Sequence, residues 1–276
     1  MADTSRPLAP PRPRTYGAIN GLGLWTLYKR EVGRFMKVWM QTLFAPVVTT
    51  LLFMTVFKLA FGNRGELTGD FNGLDYNNFL APGLVVMSVL QNAFQNSSSS
   101  LTIAKVQGSQ VDFLMPPLSP LELTIGFIFG AVTRGIMVGL VSGVAIHFSG
   151  LADLSIVHIW PVIWFALMAA IFLAALGAMG GIWADKFDHL AAVTNFVIVP
   201  LTFLSGTFYD INVLVEPFQT LAHFDPIFFL IDGFRYGFLD AANSDIGLGM
   251  AVSAGVAFVA SAGVWWMLKS GYKLKS

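Results

Sequence analysis

Six times along this chain the polar residues thin out for roughly twenty positions, the length a helix needs to cross ~30 Å of hydrocarbon. The runs cover about residues 39–61, 79–99, 123–148, 159–184, 190–208 and 248–268. Ahead of the first run the pattern is different. Leu24, Trp25, Tyr28, Val32, Phe35, Met36 and Trp39 recur at helical spacing, with Lys29, Arg30, Arg34 and Lys37 between them. An apolar stripe beside a basic one lays a helix in the headgroup plane, basic face toward anionic lipid. Residues 20–38 are therefore predicted as an amphipathic interface helix or, more simply, a basic flank to the first span. Both readings place the segment at the cytosolic surface. Residues 1–19, with Pro7, Pro10, Pro11 and Pro13, read as a disordered cytosolic tail without the apolar core and cleavage site of a signal peptide.

Composition sharpens the class. Of 276 residues 55% are hydrophobic and only 12% charged, about half the charge of a soluble domain. The fold class is an all-α polytopic membrane protein with six transmembrane helices. The net charge of zero hides an asymmetry. Arg6, Arg12, Arg14, Lys29, Arg30, Arg34 and Lys37 precede the first span. Lys105, Lys186, Lys269, Lys273 and Lys275 fall on the same side. The other side holds Arg64 and Arg235 among eight carboxylates, Glu66, Asp70, Asp75, Asp210, Glu216, Asp225, Asp240 and Asp245. The positive-inside rule then makes both termini cytosolic. With no cysteine, the chain has neither disulfides nor thiolate metal ligands.

Polar residues inside apolar runs are where chemistry is sought. The third run carries Gly126, Gly130, Gly135, Gly139 and Gly143, spaced to let another helix approach closely. It also carries Arg134. In the second run Gln91, Asn92, Gln95 and Asn96 form two i,i+4 pairs at a matching depth, followed by Ser97 to Ser100. A charge in a span faces the bundle interior or a wet cavity, so Arg134 and the amide face are read as lining a cytosolic vestibule of a translocation path. The competing reading is an arginine that snorkels to the inner headgroups.

Catalytic readings lack parts. "FLSG" at 203–206 is similar to the serine motif of six-span intramembrane proteases, but Phe203 stands where that motif has Gly, and His223 falls in a loop. His147, His158 and His189 are isolated, so no metal site is expected. No phosphate-binding G-x-x-x-x-G-K-[ST] occurs, and Gly-Lys does not occur at all. Nucleotide hydrolysis by a Walker-type mechanism is excluded for this chain alone.

After Gly206 come two apolar pieces, 211–224 and 225–239, each too short to span. Gly206 permits a sharp exit from the fifth run, and Pro226 suits the first turn of a new helix. Backbone at membrane depth must be buried in protein or line a cavity. A pair of re-entrant helices forming an outer gate is predicted, with Asp232 and Arg235 paired at i,i+3.

The order "PLTFLSGTFYDINVLVEPFQTLAHFDPIFFLIDGFRYGFL" resembles the C-terminal signature of ABC-2 type export permeases, and within them the YadH-like branch. "KVQGSQVDFLMPPLSPLEL" at 105–123 resembles that family's coupling helix and the proline-rich turn after it; where many members carry a basic residue and Glu, this chain has Gln110 and Asp112. The resemblance covers residues 20 to 270. It implies an ABC-2 transmembrane domain over 39–276, with a coupling helix near 105–117 and outer re-entrant helices near 211–239. It also implies a homodimer in the bacterial cytoplasmic membrane, in contact with membrane lipids and two separate ATPase subunits. ATP and Mg would sit on the ATPase, with no cofactor on this chain and no nucleic-acid partner. Val111, Asp112, Phe113 and Leu114 would dock into the ATPase, and the cargo would be amphipathic, lipid-linked or drug-like. Its rivals are an ATP-independent channel or secondary transporter, which needs more titratable groups at the midplane, and an intramembrane enzyme, which needs a convergent nucleophile and base.

Overall fold

The helices begin and end where caps satisfy their terminal amides, at positions that apolar run length alone does not locate. A computed structural model of the chain describes residues 19–61, 71 and 73–274. The predicted tail, apart from Ile19, and the charged residues Arg6, Arg12, Arg14, Arg64, Glu66, Asp70 and Lys275 lie outside the described residues. All regular structure among the described residues is helical.

Helix α1, Gly21–Met36, starts at Asn20, whose side chain accepts the Gly23 amide at 3.0 Å. It buries Leu27, Glu31 and Phe35 while Leu22 and Trp25 stay exposed. Helix α2 runs Met40–Phe61 and opens on a π-helical turn. Helix α3, Tyr76–Val106, has 31 residues and is capped by Asp75; at 1.5 Å per residue it is about 46 Å long. The short α4, Val111–Leu114, follows a turn. Helix α5, Pro120–Ser149, opens with a capping box in which Ser119 and Glu122 bond each other's backbone amides. That box starts the helix ahead of the apolar run. The same Glu122 carboxylate accepts the Asn20 backbone amide, and Asn20 Nδ2 donates to the Pro117 carbonyl at 3.2 Å. Helices α6, Ile159–Trp183, and α7, Phe187–Leu204, follow. Then come α8, Phe218–Phe224, α9, Pro226–Leu239, and α10, Ile246–Ser270. Lys58, near the end of α2, donates to the Gly150 and Leu151 carbonyls after α5 at 3.3 and 3.0 Å.

Five helices, α2, α5, α6, α7 and α10, are long and apolar enough to cross a membrane. The predicted second run differs. Its helix, α3, is the longest described, but its C-terminal half is too polar to join those five. The reason is its place: α3 is the buried hub, with α5 and α6 packed along it. Small residues permit that closeness. A Cβ on Gly135 of α5 would lie 2.9 Å from the Val89 carbonyl, and one on Gly181 of α6 would lie 2.7 Å from the Ser98 carbonyl. On the other flank of α5, a Cβ on Gly130 would meet the Glu31 Cβ at 2.6 Å, so α1 rests directly on the glycine stripe.

Candidate functional site

Arg134 falls at the middle of α5, about 21 Å from either end by helical rise. It is 8% exposed. Its Nη2 donates to Asn92 Oδ1 at 3.0 Å and reaches Gln95 Oε1 at 3.5 Å, while Nε has no partner among the described residues. The four amides do not all serve Arg134. Asn96 belongs to α1: Arg34 Nη2 donates to Asn96 Oδ1 at 3.0 Å and to its carbonyl at 2.7 Å. Arg34 also lies 3.5 Å from the buried Glu31, whose other carboxylate oxygen accepts from Ser100 at 2.9 Å. Between α2 and α3 a groove of about 290 Å³ exposes Arg134, Gln91, Asn92 and Gln95. Gln41, Thr49 and Thr50 of α2 and Ser88 of α3 complete its polar lining.

A second buried arginine lies on α9. Arg235 is 2% exposed. Its Nε donates to the Phe79 carbonyl at 3.2 Å and its Nη2 to the Gly206 carbonyl at 2.9 Å, with the Thr207 carbonyl at 3.5 Å. The Phe79 ring lies 3.8 Å below the guanidinium carbon, a desolvated cation–π contact. Gly206 has φ +76, so only a residue without Cβ makes this turn unstrained. Pro226 is the first residue of α9, behind the cap Asp225, whose Oδ1 accepts the Ile227 amide at 2.9 Å.

The predicted Asp232–Arg235 pair is corrected. Asp232 turns the other way, accepting the Asn243 and Ser244 amides at 3.0 and 2.9 Å and the Ser244 hydroxyl at 2.7 Å. Two backbone amides and the Ser244 hydroxyl bond the acid, and backbone carbonyls bond the base, so the two form no direct ion pair. The two pieces expected as a helical pair, 211–224 and 225–239, differ in form. The first half is a 3₁₀ turn, Ile211–Val213, plus α8; only α9 is a full helix. The ends of the segment meet: Asn243 Nδ2 donates to Asp210 Oδ1 at 2.9 Å, and Asn212 Nδ2 to Asn243 Oδ1 at 3.1 Å. Ser205 and His223 are not partners. The serine hydroxyl donates to Asp225 Oδ2 at 2.7 Å, and the His223 ring bonds the Gln219 carbonyl.

At the opposite end of α3, α4 turns Phe113 inward. The ring is 2% exposed and meets Phe127 of α5 edge-on at 5.3 Å between centroids. Phe113, expected among the docking side chains, therefore anchors α4 to α5. The outward face comprises Val111, Asp112, Leu114 and Met115, the last 79% exposed. Just before this turn, Lys105 donates to Asp185 Oδ1 at 2.9 Å, and Lys273 reaches Asp185 Oδ2 at 2.9 Å. The hydrogen bonds from Lys273 and Lys105 pull the Asp185 carboxyl down to about 2.

The sequence profile of ABC-2 type transporters matches residues 23–239, from α1 through the end of α9. The chain belongs to the ABC-2 type transporter family. It is 35% identical over 260 residues to the inner membrane transport permease YadH of Escherichia coli K12, covering 92% of this chain and 98% of the relative. Nodulation protein J of Rhizobium leguminosarum bv. trifolii is 27% identical over 221 residues, covering 79% and 81%. Nodulation protein J of Neorhizobium galegae is 23% identical over 234 residues, covering 84% and 86%.

In this ABC-2 chain Arg134, Asn92 and Gln95 come together as the matched depths predict, with Gln91 on the same groove. Arg34, Glu31 and Ser100 were missed. Arg34 looks like an ordinary basic flank in sequence, and only a carboxylate one turn earlier on the same helix hints that it is held. Tyr76, which donates to the Phe208 carbonyl at 2.9 Å, gave no signal at all.

Proposed function

We propose that this chain is the membrane subunit of an ATP-driven exporter for an amphipathic cargo. It works as a homodimer with two separate ATPase subunits that carry ATP and Mg, in the bacterial cytoplasmic membrane. One observation supports the reading: the α2–α3 groove opens a partly polar lining, with Arg134 and side-chain amides, at the middle of α5. Against hydrocarbon such an opening is costly, because amides and a guanidinium there have no water to bond. A second copy laid over the groove encloses it, which makes it part of a path between two permeases. Family membership and the permease named among the relatives support the same reading.

The topology is six spans, α3 being the polar second one, with both termini cytosolic. In support of a re-entrant excursion between spans five and six, residues 210–212 touch residue 243, and two points in contact cannot flank ~30 Å of hydrocarbon. The coupling surface is the outward face of α4 with Met115. An apolar side chain 79% exposed in a cytosolic turn favours a protein partner. Closure of the ATPase dimer would push on this turn and rock the permeases about the groove.

The test is co-expression with an ABC-type ATPase of the same genome. Expected are a stable complex with magnesium-dependent hydrolysis, no hydrolysis by the chain alone, and loss of most ATPase from Leu114→Glu and Met115→Glu complexes. Hydrolysis by the isolated chain, or full ATPase retention in both variants, overturns the reading.

A further inference from the structure

We infer that the groove between α2 and α3 binds the anionic, phosphate-type headgroup of an amphiphile, and that Arg134 holds it. The inference rests on the permease reading only for its consequence, transport; the binding itself requires no ATPase.

Charge accounting carries the argument. Three formal charges face the amide stretch of α3: Arg34, Glu31 and Arg134. Arg34 and Glu31 lie 3.5 Å apart and offset one another. Arg134 has no carboxylate within 4.0 Å among the described residues, only a good amide bond at 3.0 Å and a long one at 3.5 Å, and its Nε is unpaired. A buried cation without a counter-charge is expensive. The chain shows at Arg235 how a permanent structural arginine is satisfied, with three carbonyls and an aromatic face. Arg134 has no such cage, and instead borders a cavity. A guanidinium forks onto a phosphate with two parallel hydrogen bonds, the geometry that suits it better than lysine.

The groove's shape selects the rest of the ligand. At about 290 Å³ it has room for a headgroup rather than a whole lipid. Thr49, Thr50 and Ser88 line its polar part, their hydroxyls donated to the Ala45, Pro46 and Val85 carbonyls so that Arg134 is the charged donor, whereas Phe53, Leu84 and Met87 line its apolar part. Such a groove takes a charged polar head at Arg134 and leaves the hydrocarbon tail along apolar wall or lipid.

The purified full-length chain, in phosphatidylcholine nanodiscs without ATPase, is titrated with three probes and bound adducts are counted by native mass spectrometry. The probes are short-chain phosphatidylglycerol, short-chain phosphatidylcholine and free glycerol phosphate. Phosphatidylglycerol is expected to bind at least tenfold more tightly than either of the others. Arg134→Gln should weaken it about tenfold, and Arg134→Lys less. Thr49→Phe, which adds bulk to the groove from an exposed position and leaves Arg134 in the sequence, should abolish it even if the arginine variants fail to fold. Equal binding by wild type and Thr49→Phe overturns the site. Phosphatidylcholine as tight as phosphatidylglycerol overturns the charge selectivity, and glycerol phosphate as tight overturns the amphiphile in favour of a free phosphate compound. Failure of the ATPase complex leaves these results unchanged, so the two readings fail separately.

Discussion

Arg134 and Arg235 are both buried arginines in one helical membrane bundle, and their surroundings are opposite. Arg235 is enclosed by the Phe79, Gly206 and Thr207 carbonyls and lies over the Phe79 ring. Arg134 touches two side-chain amides and borders open volume. Burial by itself therefore does not distinguish these two charges; the identity of their partners does. Main-chain acceptors are fixed by the fold and lock α9 to α3 and to the turn after α7. Side-chain amides can rotate away and let a guanidinium change partner.

Exchanging the two arginines for methionine tests that contrast most strongly. Arg235→Met leaves three carbonyls facing an apolar cage and is expected to cost about 3 kcal/mol or more, seen as lost monodisperse protein and a clearly lower Tm. Gly83→Ala attacks the same cage, because its Cβ would sit 2.7 Å from the Thr207 carbonyl and 3.1 Å from Arg235 Nη2. Arg134→Met should melt close to wild type, since it removes a charge that lacks a counter-ion, while abolishing transport. Equal melting of the two methionine variants would erase the distinction.

A smaller effect, on topology rather than stability, concerns the contact of residues 210 and 212 with Asn243. Asn212→Cys combined with Asn243→Cys should oxidise to an intrachain disulfide in most molecules, with no native cysteine to compete. In the reduced protein both thiols should react with an impermeant maleimide added outside spheroplasts. Protection of position 243 until the membrane is permeabilised would make 211–239 a true crossing.

The smallest effect belongs to Asp185, the exposed counterpart of these buried sites, where two lysines meet one carboxylate. Its folded pKa of about 2 lies below the ordinary ~3.9 of an aspartate. Its contribution is therefore fully present above about pH 4 and is lost as pH falls through about 2. A slightly lower Tm for Asp185→Asn at neutral pH should converge on wild type across that window. A gap that persists at pH 2 would assign the effect to something other than the carboxylate charge.

Much of this architecture is legible in the sequence because its signals are local. Apolar run length marks the helices, and Gly206 followed by Pro226 marks the turn and restart. Depth along two runs brings Arg134 to Asn92, since residues of equal depth on adjacent helices are candidates for contact. What escapes is anything decided by backbone carbonyls or by rotation about a helix axis. Asp232 and Arg235 have the spacing of an ion pair, yet distant main-chain groups claim each one. Phe113 sits in a short polar-flanked turn, and nothing in that turn shows that Phe127, fourteen residues on, offers it a ring. Arg34 reads as one of several basic residues until α1 is laid across α5 and reaches Asn96.

The carboxylate of Glu122 ties three pieces of chain at one point: the start of α1 through Asn20, the proline-rich turn through Ser119, and the first turn of α5 to which it belongs. Asn20 closes the loop onto Pro117. Such a joint has no slack. In the exporter proposed above, a push delivered at Met115 would pass from the turn to α5 and to α1 through these bonds. With α1 lying in the headgroup plane of that exporter, the helix would act as an outrigger, spreading the load over headgroups and turning a small thrust at the turn into a swing of α5, with Arg134 carried about 21 Å along its length.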